Sequence, residues 1–236
     1  MAEDSRFRKD DSHDDDLSEE ELKEVRRLEA KAKAEKQKVL DSKDKLYGAS
    51  LTDLDLTGLD LQNANMAKAN LSNSNLSQTN LSNANLIEVD LTGADLSNAD
   101  LHDAYSPDAE WVGVNLTGAD LRWVDFSWST LSEANFTDAN LLEVDFTEAT
   151  LVASDFTKAN LSGVNFENAN IMDARLNGSD LSETFNLSPE QVESAELDRA
   201  TQLPPYLEIN WKGKGDYEVT KKIEKKSKRK KTKKKS

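Results

Sequence analysis

Residues 61–100, written in fives, read LQNAN MAKAN LSNSN LSQTN LSNAN LIEVD LTGAD LSNAD. Leu or Met opens every group and Asp or Asn closes it. A small or modest side chain, usually Ala, stands just before the closing residue. The period continues outward in both directions. From Leu46 to Leu181 it gives 28 centres, of which 27 are Leu, Met, Phe, Trp or Ile; the exception is Ser106. A helix repeats at 3.6 residues and a strand at 2. A period of five fits neither, so the chain must turn a corner every fifth residue. Four corners, at five residues each, close one square coil. Two positions of each group then face inward; the apolar centres point into the coil and the small residue sits at the corner. Asp/Asn, Ser/Thr and the fifth residue face water. Such a coil buries its core only by stacking on its neighbours, at the strand spacing of ~4.8 Å. Twenty-eight groups make seven coils, a rod of roughly 34 Å.

Positions one full coil apart, twenty along the chain, should therefore stack. Leu61, Leu81, Leu101 and Leu121 head an all-Leu column that continues to Leu181. Phe126, Phe146 and Phe166 fall in a second column, and Phe136 and Phe156 in the column opposite. The spacing predicts two phenylalanine ladders on facing walls.

The tandem motif is A(D/N)LXX, as in ANLSN at 69–73, ADLSN at 94–98, ANFTD at 134–138 and ANLSG at 159–163. It resembles the pentapeptide-repeat family. The resemblance implies an all-β solenoid, a right-handed quadrilateral β-helix, over residues 46–185. It also implies dimerisation as an option, because many relatives dimerise. Some members resemble duplex DNA in shape and charge and bind type II topoisomerases, which confers quinolone tolerance.

Composition narrows the classes. The 236 residues carry 30 Lys+Arg and 45 Asp+Glu, a formal charge of −15, and 36% are hydrophobic. No run approaches the ~18 apolar residues of a membrane span. There is no Cys, which excludes disulfides, zinc–thiolate sites and cysteine nucleophiles. The opening MAEDSRFRKDD has no apolar stretch of a secretory signal, and the expected location is cytoplasmic. The charge is uneven: net −3 over 1–45, −18 over 46–185, −4 over 186–211 and +10 over 212–236.

The chain divides into four regions. Residues 1–45 form a charged head with a helix at about 19–40, opened by a capping box of Ser18 and Glu21. Residues 46–185 form the β-helix. Residues 186–205 cap it: Ser188 and Gln191 make a second capping box with Pro189 at the first helical position, and Pro204-Pro205 should end the ordered part. Residues 206–236 read as a disordered Lys-rich tail, too charged to fold.

No catalytic or cofactor constellation stands out. His13 and His102 are the two histidines, and neither sits in a motif for nucleophilic catalysis. No GxxxxGK[ST], GxGxxG or EF-hand loop is present. The expectation is a non-enzyme without metal or cofactor. One interruption is informative: 102–111 reads HDAYSPDAEW. A small Ser106 beside a large Trp111 conserves core volume. That does not explain Trp123 and Trp128, both at the outward fifth position, one coil on from Asp103 and Asp108. With Tyr105, Pro107 and Arg122 they form a candidate interaction cluster, of the aromatic-and-Arg kind that interfaces favour. The tail supplies Lys225, Lys226, Lys228, Arg229, Lys230, Lys231, Lys233, Lys234 and Lys235. It should attract polyanions, whether nucleic acid or an anionic membrane, or fold back on the acidic body. The working reading is a non-catalytic scaffold that binds a protein partner. The alternatives are a topoisomerase-binding DNA mimic and tethering to nucleic acid or membrane through the tail.

Overall fold

The turn that makes each corner is visible in the backbone. In a computed structural model, which describes residues 18–213 and 216–222, the two residues after each apolar centre form the turn. Its closing bond is the one from the Ala64 N–H to the Leu61 C=O, 3.0 Å. The second turn residue takes positive φ at almost every corner, for example Asn63 at 58°, Asn83 at 58° and Gly118 at 67°. Positive φ is cheap for Gly and tolerable for Asn and Asp, which is why those types recur there. The corner is therefore the Ser/Thr-plus-fifth-residue pair. The small residue faces inward as expected, since Ala64, Ala69 and Ala94 are buried, but it lies on the wall just past the corner. The space beside the apolar centre takes side chains from Ala up to Val, and Leu59 in the first coil.

The Asp or Asn before each centre is more than a solvated group. Its Oδ1 accepts the N–H two positions on, as Asn70 does from Ser72 at 2.9 Å and Asp145 from Thr147 at 2.8 Å. The following hydroxyl often donates to the same oxygen, Ser72 Oγ to Asn70 at 2.7 Å. This is the Asx-turn, in which an Asp or Asn side chain bonds the backbone two positions on, and it starts each corner.

Each coil pairs in parallel with the next, in a constant twenty-position register: Asn65 with Asn85, Asp125 with Asp145, Asn135 with Asp155. The Leu61 N–H donates to the Asn80 C=O at 2.7 Å and the Asn80 N–H to Leu59 at 2.9 Å. The core is one continuous cluster. The predicted ladders are present: Phe126 stacks on Phe146 at 5.6 Å, Phe146 on Phe166 at 5.8 Å and Phe136 on Phe156 at 4.9 Å. The ladders meet edge-on across the core, Phe136 against Phe146 at 5.8 Å.

Ser106 has a second reason beyond volume. It is fully buried, and its Oγ accepts the indole N–H of Trp111 at 3.0 Å. A tryptophan can occupy a dry centre only if that N–H is satisfied. Ser129 Oγ in turn donates to the Ser106 C=O at 2.7 Å.

Both ends are closed. Helix α1 spans Glu19–Asp41, with the Ser18–Glu21 capping box formed. Its Leu22, Val25 and Leu28 are exposed, whereas Val39 is buried in the core cluster with Leu46 and Leu51 of the first coil. Lys36 Nζ reaches the Thr57 C=O at 3.1 Å and Asp55 at 3.0 Å. Helix α2 spans Pro189–Ser194 behind the second capping box. Gln191 Nε2 donates to the carbonyls of Phe166 and Ala169, both at 2.8 Å, so the open edge there is covered. No described helix is long and apolar enough to cross a membrane.

The disordered tail needs correction over its first part. Strands β1, Leu207–Trp211, and β2, Tyr217–Lys221, form an antiparallel hairpin. Leu207 and Val219 are buried on its inner face, and Tyr217 Oη donates to the Ala195 C=O at 2.7 Å. Pro204-Pro205 therefore does not end the ordered chain. Period-two alternation in LEINW and YEVTK outweighs the charge density around it. Residues 223–236, including all the tail lysines named above, lie outside the described residues.

The Ser106–Trp111 pair is testable. Ser106→Leu restores the commonest centre residue, yet it should lower stability by several kcal/mol, through overpacking of ~1–3 kcal/mol and an orphaned indole of ~1–3 kcal/mol. Adding Trp111→Leu should recover most of that loss. Chemical denaturation of the two single variants and the double variant measures the coupling.

Candidate interaction surface

The coil register sorts every surface residue into a column, and the columns differ by wall. One wall carries the ladder Asn85, Tyr105, Asp125, Asp145, Asn165, Phe185. Its near corner holds Asp103, Trp123, Glu143, Gly163 and Glu183; its far corner holds Pro107, Glu167, Asp108, Trp128 and Glu148. Tyr105, Trp123, Trp128 and Phe185 are exposed by 48%, 43%, 59% and 58%. Tyr47, also exposed, begins the far corner, since the Gly48 N–H after it donates to Ala67. The exposed aromatics of the coiled body thus converge on one wall and its corners. Met172 is the large exposed hydrophobic of the body elsewhere.

The predicted cluster is largely brought together. Tyr105 lies one coil before Asp125, between the corners that carry Trp123 and Trp128. Arg122 places its guanidinium over the Trp123 ring, 5.2 Å from the centroid. Such a contact adds ~0.5–1 kcal/mol at an exposed site. Pro107 is the exception: it is buried at the far corner and offers no surface. Phe185 and Tyr47 were not in the expected cluster. Their signal was in the sequence, because Phe185 stands four full coils on from Tyr105 in the same column.

Charge separates this wall further. Every cation of the repeat body is held by an acid: Lys68 by Glu88 at 3.1 Å, Arg122 by Asp120 at 2.6 Å, Lys158 by Asp138 at 3.9 Å and Arg175 by Asp155 at 3.3 Å. Hydrogen bonding to Asp120 raises the Arg122 guanidinium pKa still further. Burial pushes the Asp120 carboxyl up, but the Arg122 bonds outweigh it and the net shift is down. The Asp125 wall itself holds no Lys or Arg. Among the described residues, no ion pair neutralises Asp103, Asp125, Glu143, Asp145, Glu167 or Glu183. The wall is thus aromatic and uncompensated at once.

At its C-terminal end an open groove of about 880 Å³ is lined by Glu143, Asp145, Asn165, Glu183, Phe185 and Tyr206. Gly163 forms part of its floor; a Cβ there would come within 2.8 Å of the Glu143 side chain. No cluster of three or more His, Asp or Glu side chains suited to a metal occurs among the described residues.

Sequence profiles of pentapeptide repeats match residues 45–83 and 64–103, and that of a pentapeptide repeat region matches 109–186. The chain belongs to the pentapeptide-repeat family. Among solved structures it is similar to QnrB1, a plasmid-mediated fluoroquinolone resistance protein. The identity is 16%, over 70% of this chain and 88% of that one, with a TM-score of 0.52. It is also similar to HetL, a pentapeptide repeat protein involved in heterocyst differentiation regulation in the cyanobacterium Nostoc sp. strain PCC 7120. There the identity is 23%, over 71% and 88% of the two chains, with a TM-score of 0.31. A comparison with curated proteins gives no match. The likeness to QnrB1 is one of fold, the quadrilateral β-helix of the family.

Trp123 and Trp128 take φ of 61° and 58°. Left-handed backbone costs a residue other than Gly or Asn ~1–2 kcal/mol. Trp123→Asn and Trp128→Asn should therefore leave stability unchanged or raise it by up to about 1 kcal/mol each. Phe146→Ala, in the ladder, should lower it by about 3–5 kcal/mol. Thermal unfolding followed by circular dichroism distinguishes the two classes.

Proposed function

We propose that this chain is a non-catalytic interaction module whose Asp125 wall binds a cationic segment of a protein partner. The observation that carries this reading is the pair Trp123 and Trp128. Two large aromatics stand exposed at turn positions where the backbone favours Gly or Asn. The same turn position also takes charged residues such as Glu133 and Lys158, so it is the exposed aromatic surface of these two that points to a role outside folding. Unpaired carboxylates beside them suit Lys or Arg, and indole faces suit the same cations. The rigid coil presents these groups without ordering cost on its own side, which favours affinity.

The same net negative rod is compatible with topoisomerase binding by charge mimicry. The even coil register between Ser50 and Phe185 offers such a partner no inserted loop, so that reading ranks second. Tethering through the Lys-rich tail ranks third.

Affinity capture from native lysate at high salt, with the full chain and with the Trp123→Asn/Trp128→Asn double variant, tests the first reading. A protein should be retained by the full chain and lost, by at least tenfold, with the double variant. Equal retention by both removes the tryptophans from the function. Inhibition of gyrase supercoiling by both proteins would instead favour mimicry.

A further inference from the structure

The wall that lacks cations lies where the chain's own cations leave the fold. Strand β2 ends at Lys221, which lines a groove with Glu167, Phe185 and Tyr206. The Lys222 N–H donates to the Tyr206 C=O at 2.9 Å. Tyr206 also lines the neighbouring groove with Glu143, Asp145, Glu183 and Phe185. The exit point therefore sits at the C-terminal end of the Asp125 wall. Beyond Lys222 the chain continues as IEKKSKRKKTKKKS, with nine bases and one acid.

We propose that residues 223–236 occupy the Asp125 wall of the same chain, running back along it from Phe185 toward Tyr105. Reach permits it. A segment of that length, fully extended, spans up to ~46 Å, and the four coils between Phe185 and Tyr105 measure ~19 Å. Charge favours this wall over the one opposite, where Arg175 already meets Asp155 and Lys36 of α1 meets Asp55. The exposed aromatics favour it over the remaining two. Each coil from Asp103 to Glu183 puts at least one carboxylate on the Asp125 wall or its corners, so carboxylates recur at the coil spacing of ~4.8 Å. Successive cations of an extended chain repeat at ~3.3 Å. Both spacings are shorter than the ~8 Å Debye length of physiological salt, so paired charges sum before screening removes them. Each exposed pair contributes little. The covalent tether raises the tail's local concentration to the order of millimolar, and Trp123 and Trp128 add cation–π faces. This inference needs no partner protein, and its failure would leave the partner reading standing.

The absence of Cys makes the test clean. The full chain carries a nitroxide at Ser227→Cys, paired with one at Asn85→Cys on the Asp125 wall or at Asn115→Cys on the opposite wall. Each sample is diluted tenfold with unlabelled chain. Pulsed electron resonance at low salt should give a narrow, short distance to position 85 and a longer one to position 115. The short distance should broaden at 0.5 M salt and in the Asp125→Asn/Asp145→Asn/Glu183→Gln variant. Broad distributions to both positions, or a shorter distance to position 115, overturn the proposal. So does a short distance that disappears on dilution, which would place the tail on a second copy.

Discussion

Everything in this molecule depends on one backbone constraint: every fifth residue must accept positive φ. That single dihedral, met by Gly, Asn or Asp at most corners, bends the chain four times per coil and returns it, one coil later, above its start. The Asx-turn that precedes each corner explains the Asp/Asn and Ser/Thr preferences. The space left beside the apolar centres explains the small to medium residue. Hydrophobic burial then comes from stacking, because no single coil encloses a core. The resulting columns turn sequence spacing into surface position. A substitution is felt mainly by the residues one coil before and one coil after it.

The same constraint gives the surface its meaning. A fold so repetitive has few ways to make one wall unlike another, and side chains at the corners are the chief one. Here Trp123 and Trp128 hold backbone conformations that suit smaller residues. They flank a ladder that runs from Tyr105 to Phe185 through Asp125 and Asp145. Lys68, Arg122, Lys158 and Arg175 meanwhile neutralise acids at the corners and on the other walls. The asymmetry comes from where a few residues fall in the coil frame, and the overall charge alone does not reveal it.

Much of this was legible beforehand. The period of five, the coil register, both phenylalanine ladders and both capping boxes could be read from spacing, because solenoid contacts are periodic in sequence. Two of the features that escaped were non-periodic. The β1–β2 hairpin was hidden because Lys212, Lys221 and Lys222 made its surroundings resemble the tail, although Leu207, Ile209, Tyr217 and Val219 alternate as a strand pair should. The Trp111–Ser106 bond was invisible because period and volume say nothing of an indole N–H. The placement of the small residue depends on turn geometry that the period alone leaves open. Phe185 and Tyr47 could have been found by applying the coil frame to exposed positions as well as to the core.

The most direct measurement is acrylamide quenching of tryptophan emission at low salt, in the full chain and in a chain ending at Lys222. Trp111 is buried in both and the half-buried Trp211 of β1 is replaced by Phe in both, so added quenching reports on Trp123 and Trp128. The account predicts weak quenching in the full chain and a marked rise once residues 223–236 are removed. The same rise should appear in the full chain at 0.5 M salt. Equal quenching in the two chains under both conditions would contradict the view that this wall is a cation-binding surface with its own resident segment.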